Sequence, residues 1–580
     1  MCGIIACVGE NVDRLAVEGL KRLEYRGYDS YGFAWVTGPD SAIQTRKSLE
    51  PLEDLGDRLP RCSAVIGHTR WATHGNVSLE NCHPHSAQDN SFSLVHNGIV
   101  ENFQELRKGD DACAGKSDTA VIVQLLDVAL GVAASRREAL CEVLDKLGGR
   151  NTILVLFSDG EILAARHGSP LLLGRTDSQY FLSSDLLSFV SYSSLYSPIP
   201  ERHLVQIQEK SIALYDTSLR QFDIEWVEVE VPEADFSKDG HPHYMLKEVM
   251  EQWQTVSRQA KSASTDLDKF VMELAQRGNL LLTGAGGAFY TCMQIAWLLR
   301  EVTGLKALAV PAYEIDSLNA LYGQGDLVLA ISQSGETADT IRAVERAASW
   351  GMRVASLVNM PMSTLARVSE FSFANDSGPE ICVLSTKSAT AQVTFGYILA
   401  QRLNGQDGGA AIDQLSHNLS QYLGQALSWK IREVAMAVAS APSIFILGRG
   451  LFYPCAMVAA LNIKEASYVH AEAFAAGELK HGVIALIEKG VPVMLYVDRD
   501  DSYMLNVASE VKSRGAHIIG IACEDNELFD DFIPIPNLFD PLLAAICGLI
   551  PGQFMAYHLG IHAGVNPDRP RNLAKSVTVQ

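Results

Sequence analysis

Cys2 stands directly after the initiator methionine, and removal of Met1 would leave one residue carrying both a thiol and a free α-amine. An α-amine titrates at roughly 7.7–8.0, so it can take the thiol proton near neutral pH, and nucleophile and base then need no separate histidine. A second constellation is ISQSGETADT at 331–340, in which Ser332, Gln333, Ser334 and Thr337 surround Gly335. A strand-like run precedes it and a helical pattern follows. Hydroxyls, an amide and backbone N–H groups therefore collect at a helix N-terminus, where the dipole favours an anion. The loop lacks the lysine of a nucleotide-triphosphate loop, so a small phosphate monoester suits it better. The other cysteines are scattered with no CxxC pair, and His83 and His85 flank Pro84 without a third ligand in view, so no metal is expected.

Around Cys2-Gly3-Ile4 the chain carries, in order, LEYRGYDS (23–30), GHTRWATHG (67–75), HPH (83–85), HNGIVEN (96–102) and SDT (117–119). This set resembles the class II glutamine amidotransferases, whose glutaminase domain has the αββα N-terminal-nucleophile fold. The resemblance implies that Cys2 attacks the glutamine side-chain amide to form a γ-glutamyl thioester. It implies an oxyanion hole made by the Asn97 side chain and the Gly98 backbone N–H. Arg70 would hold the glutamine α-carboxylate in bidentate fashion, with Thr73 and His74 nearby, and Asp118 would pair with the α-ammonium. Trp71 resembles the residue that gates ammonia passage.

EICVLSTK (380–387), LGRG (447–450), IKEASYVHAEAFAAGELKHG (463–482) and RNLAKSVTVQ (571–580) extend the likeness over nearly the whole chain. Together they resemble the glucosamine-6-phosphate synthases, or glutamine:fructose-6-phosphate amidotransferases, which add tandem sugar isomerase (SIS) domains. The resemblance implies phosphate binding by Ser332, Gln333, Ser334 and Thr337 and a backbone contact from Val383. It implies a Schiff base between Lys575 and the open-chain ketose, ring opening by His481 and proton transfer between C1 and C2 by Glu465. The implied substrates are L-glutamine and fructose 6-phosphate, with no cofactor, in a homodimer formed through the SIS domains. Ammonia would pass internally, helped by the tail at 563–580. Several positions depart from the family. Thr283-Gly284-Ala285-Gly286 replaces CGTS, removing two hydroxyls that meet the sugar in relatives, and Asn462 takes the place of the first lysine of Lys-x-Lys-Glu. Gln580 and Tyr31 differ as well. Two alternatives follow: the same chemistry on another ketose phosphate, or a non-isomerising sugar-phosphate-binding paralogue.

These residues need elements to position them. Residues 1–230 show short strand-like runs at 63–67, 91–96 and 152–157 and helical patterns at 14–23 and 119–130, the texture of an α+β domain with antiparallel sheets. Residues 231–243 (VPEADFSKDGHPH) read as a linker. Beyond it the pattern is strand–turn–helix, with strands at 279–282, 327–331 and 353–358 and again at 444–447, 491–497 and 516–521. Gly284 and Gly448, like Gly351 and Gly515, lie 164 residues apart. The spacing predicts two copies of one parallel, doubly wound α/β domain, at 244–408 and 409–562, followed by the tail 563–580. A net charge of −21 without a Lys/Arg cluster argues against nucleic acid and requires local groups to hold any phosphate. No apolar run reaches the roughly 18 residues of a membrane span and the start has no basic n-region, so a cytoplasmic location is expected.

Overall fold

The computed structural model describes residues 2–38, 41–56, 59–71, 76–107, 117–208, 211–228, 237–261 and 265–577. They fall into two compact units, 1–235 with 574–580, and 236–573.

The first unit contains two antiparallel sheets of eight and seven strands. In the larger one, Gly3–Gly9 pairs with Ala64–Arg70 on one side and Gln179–Ser183 on the other. In the smaller one, Phe92–Gly98 pairs with Asn151–Phe157. These central strands are covered on both faces, which is why they read as near-continuous apolar runs such as NTILVLF. Leu154 and Leu156 point into the core between the sheets with Ile4, Ala6 and Ile66. The alternate residues Ile153, Val155 and Phe157 pack under the helices Thr119–Leu130 and Arg136–Lys146. The helix Val12–Arg22 covers the outer face of the larger sheet so closely that a Cβ on Gly19 would lie 2.4 Å from Ile5 Cδ1. The order helix, sheet, sheet, helix is the expected αββα sandwich.

The second unit holds two five-stranded parallel sheets, each in the order second, first, third, fourth, fifth. The 164-residue spacing holds for Asn279–Gly284 against Ser443–Gly448, Lys306–Pro311 against His470–Ala475, and Arg353–Val358 against His517–Ala522. It breaks at the fifth strands, Phe371–Ala374 and Asp531–Pro534, where the second connection is shorter. Gly351 and Gly515 turn the chain from helix to strand with φ of 86° and 89°, a region that favours glycine. The two copies share one core. Helices Gly287–Thr303 and Lys387–Leu403 of the first pack with Phe452–Ser467 and Ala544–His562 of the second. The last of these is apolar on all sides because 89% of its most apolar 18-residue stretch is buried. In each sheet the strand order reverses between the first and third strands, which opens a crevice at their C-terminal ends.

Candidate active site

Cys2 immediately precedes the strand Gly3–Gly9. Gly3 is paired with Thr69 and donates its N–H to Thr69 Oγ1 at 3.1 Å, which brings Cys2 beside Arg70 and Trp71. The Trp71 backbone N–H donates to Cys2 Sγ at 3.5 Å. Burial pushes the Cys2 thiol up, while nearby Arg70 pulls it down and Asp118 pushes it up. The close approach at Trp71 requires Gly27 of the RGYDS segment, since a Cβ there would lie 2.7 Å from both Arg70 C and Trp71 N. Arg70 is buried, and its Nη1 donates to Asn76 O at 3.2 Å. Thr73 and His74 lie outside the described residues.

Asn97 and Gly98 end the facing strand Phe92–Gly98. Asn97 is 1% exposed, and among the described residues its Nδ2 has no hydrogen-bond partner. Burying an amide donor unpaired costs about 1–3 kcal/mol, so each such group calls for an explanation. Gly98 has φ of 155°, and a Cβ there would sit 1.9 Å from Arg150 O, so no other residue fits. Asp118 accepts the Val100 N–H at 2.9 Å and so ties the segment after Gly98 to the start of the helix Thr119–Leu130.

A group of buried histidines that the motifs contained but the chemistry did not single out supports this strand end. His68 Nε2 donates to His96 O at 3.1 Å, bridging the two sheets next to Asn97. The His96 N–H donates to His83 Nδ1 at 3.2 Å, and the His68 and His83 rings stack at 3.9 Å. His83 Nε2 and His96 Nδ1 both contact Thr119 Oγ1, at 3.3 and 3.1 Å, and His96 Nε2 meets Asn151 Oδ1 at 2.9 Å. Burial pushes all three imidazoles down, so they are neutral. Among the described residues no group of side chains could hold a metal ion.

The second centre lies at the strand-order reversal of the first parallel sheet. Ser332 ends the strand Leu327–Ser332; its Oγ lies 3.0 Å from Thr337 Oγ1 and accepts the Gly335 N–H at 3.0 Å. Ser334 Oγ accepts the Glu336 N–H at 3.1 Å. Gly335 has φ of 63°, and a Cβ there would meet Ser363 Oγ at 2.0 Å. Gln333 and Ser334 stay partly open ahead of the helix Ala338–Ser349, so the segment keeps the anion-cradle form.

Two buried carboxylates shape the neighbouring segment that contains Val383. Glu248 accepts the Ile381 and Cys382 N–H groups at 2.6 and 3.0 Å. Glu380 accepts those of Thr386 and Ser388, both at 2.9 Å. Neither glutamate was singled out from the sequence, where an isolated Glu reads as solvated. Asn462 Nδ2 donates to Ser385 O at 3.4 Å, and Glu465 sits three residues further along the same helix, half-buried. The first turn of the helix Gly287–Thr303 faces both, since a Cβ on Gly287 would lie 3.5 Å from Ser385 Cβ and 4.0 Å from Leu461 Cδ2. His481 is exposed at the end of the turn Ala476–His481. Lys575 is half-buried and clusters with the first unit.

The family model for class II glutamine amidotransferases matches residues 29–181, and that for the SIS domain matches 273–402 and 437–563. The glutamine--fructose-6-phosphate aminotransferase [isomerizing] of Pyrococcus horikoshii is 34% identical, with 100% of both chains covered. The proteins of that name from Zymomonas mobilis and Tropheryma whipplei are 34% and 35% identical, also over 100% of both chains. The chain belongs to the isomerizing glutamine--fructose-6-phosphate aminotransferase family. Among solved structures, the C-terminal domain of the glucosamine-fructose-6-phosphate aminotransferase from Francisella tularensis is 28% identical with a TM-score of 0.50, covering 57% of this chain and 98% of that one. Tagatose-6-phosphate ketose/aldose isomerase from Escherichia coli, 22% identical with a TM-score of 0.50, covers 57% of this chain and 96% of its own and shares the fold.

Within this aminotransferase family the departures take a structural form. Gly286 has φ of 56°, and among the described residues nothing beyond its chain neighbours lies within 4 Å of a Cβ placed on it. Asn462 spends its amide on the Ser385 carbonyl. Tyr31 is a core residue, edge-on to Phe33 at 6.2 Å. Gln580 lies outside the described residues.

Proposed function

We propose that this chain converts fructose 6-phosphate and L-glutamine into glucosamine 6-phosphate and glutamate. The observation that carries the reading is the buried Asn97 amide, unpartnered among the described residues, in a chain that also holds the Ser332–Thr337 loop ahead of a helix. With Met1 removed, the α-amine of Cys2 takes the thiol proton and Sγ attacks the glutamine amide carbon. The oxyanion that forms accepts hydrogen bonds from Asn97 Nδ2 and the Gly98 N–H. The C–N bond then breaks, ammonia leaves with the proton, and water releases glutamate from the thioester. Arg70 and Asp118 hold the amino-acid end of glutamine, with Trp71, Thr73 and His74 beside them.

Ser332, Gln333, Ser334 and Thr337 hold the sugar phosphate, with Val383 against the sugar. His481 assists ring opening, and Lys575 forms a Schiff base at the C2 carbonyl, which ammonia displaces. Glu465 then moves a proton from C1 to C2. Ammonia passes between the centres without entering bulk water, where it would become ammonium, and the tail at 563–580 takes part in that passage. The domain limits follow as 1–230, 244–408 and 409–562, in a cytoplasmic homodimer joined through the SIS copies. The open room at Gly286 favours one second reading, the same chemistry on another ketose phosphate. Mass analysis of the product formed from glutamine and a panel of ketose phosphates tests both. Amino sugar made by Cys2→Ala with glutamine as sole donor would contradict the scheme.

A further inference from the structure

The isomerase crevice carries a side chain that none of the motifs contains. Ala285, Gly286 and Gly287 enter the helix Gly287–Thr303 and offer no side-chain donor or acceptor. Tyr290 follows on the first turn, with its backbone N–H donating to Gly286 O at 3.3 Å. Residues three apart share a helix face, so Tyr290 stands one turn on from Gly287 at the turn that opens this helix. That turn opens at the same sheet edge as the phosphate segment, because a Cβ on Gly284 would lie 3.0 Å from Ile331 O, one residue before Ser332. It faces Ser385 and the Leu461 turn that leads to Glu465.

Tyr290 is half-buried, and among the described residues no hydrogen bond holds its hydroxyl. Burial pushes that hydroxyl up, with Tyr313, Tyr453 and Glu465 as its charged or polar neighbours, so it stays a neutral phenol that can donate and accept. The other two tyrosines are less well placed. Tyr313 is 62% exposed at the rim, and Tyr453 has Glu478 as its charged neighbour.

We propose that Tyr290 is a substrate-binding residue of the isomerase centre, its hydroxyl bonding to a hydroxyl of the ketose phosphate where Ala285 and Gly286 present none. The inference rests on the function proposed above and names a specificity device peculiar to this chain. It is tested in the full-length protein with Tyr290→Phe, which keeps the ring and its packing. With saturating glutamine, KM for fructose 6-phosphate and its calorimetric Kd should both rise about two- to tenfold, the worth of one neutral hydrogen bond, while kcat stays within about twofold. Adding Ala285→Ser to Tyr290→Phe should recover at least half of the lost affinity by returning a hydroxyl to the same turn. Unchanged KM and Kd would overturn the inference, as would a kcat loss at constant KM, which would mean action through Glu465. Failure of the double variant to recover would place the effect in helix packing and overturn it too. A wild-type protein that makes no amino sugar from fructose 6-phosphate and glutamine would sink the functional reading and this inference together. An active wild type with an indifferent Tyr290→Phe would sink this inference alone.

Discussion

Asn97 is the residue at which structure and chemistry meet most directly. A buried amide hydrogen with no acceptor among the described residues is a cost to the folded state, and the oxyanion role proposed above would give that cost a use. Asn97→Ala separates the two effects. Glutamine hydrolysis should fall about 10²–10³-fold in kcat, the loss that follows removal of one oxyanion donor. The melting temperature should not fall, because no hydrogen bond to Nδ2 is given up. Glutamate release and a thermal melt on the same preparation check this, and a kcat within tenfold of wild type would remove Asn97 from the oxyanion hole. The sequence singled out Asn97 because HNG stands among four other ordered motifs. Its unpaired state was not legible there, since that depends on the Thr152 and Asn151 strand packed beside it.

At the scale of elements, the tandem copies were legible because parallel strands are buried on both faces and because helix-to-strand turns need glycine. Gly351 and Gly515 marked the spacing, and both have positive φ. The sequence bounds 119–130 and 353–358 match the helix Thr119–Leu130 and the strand Arg353–Val358; most other strands run one or two residues longer, whereas the strand expected at 491–497 is the shorter Pro492–Tyr496 and that at 516–521 is shifted by one to His517–Ala522. Glu248 and Glu380 were not legible. Glu248 binds backbone N–H groups more than 130 residues away, a pairing no local pattern carries. The histidine bridge between the two sheets also emerged only in three dimensions, and it makes the first unit acid-sensitive. His68, His83 and His96 are held below the ordinary imidazole range by burial. Their pKa values are thus lower folded than unfolded, and the unfolded chain binds more protons as pH drops through about 6.5. A proton on His83 Nδ1 would also oppose the His96 N–H that now donates to it. The melting transition of the first unit should therefore move down between pH 7.5 and 5. Calorimetry across that range checks it, and a transition that stays level or rises would show the cluster to be indifferent.

At the scale of the molecule, a formal charge of −21 sets the approach of a dianionic sugar phosphate against the approach of zwitterionic glutamine. In the function proposed above, the phosphate is held by short-range donors, the Ser332–Thr337 hydroxyls and the N–H groups before the helix Ala338–Ser349. These contacts act within one turn, at distances well below the Debye length, where partly buried charges are screened less than exposed ones. The summed negative field acts over the Debye length, about 30 Å at 0.01 M ionic strength and about 8 Å at 0.15 M. Screening should therefore help the sugar phosphate reach its site and leave glutamine almost untouched. KM for fructose 6-phosphate should fall about two- to threefold from 0.01 to 0.15 M sodium chloride, while KM for glutamine stays within about 1.5-fold. Basic proteins that bind phosphates show the opposite sign, because added salt weakens their attraction. Steady-state kinetics at fixed pH across that series decides the matter. If KM for the sugar phosphate rose with salt, a local positive field would have to outweigh the global charge at the crevice. Arg449, exposed and 3.5 Å from Asp501 in the second copy, would then be the first cation to neutralise.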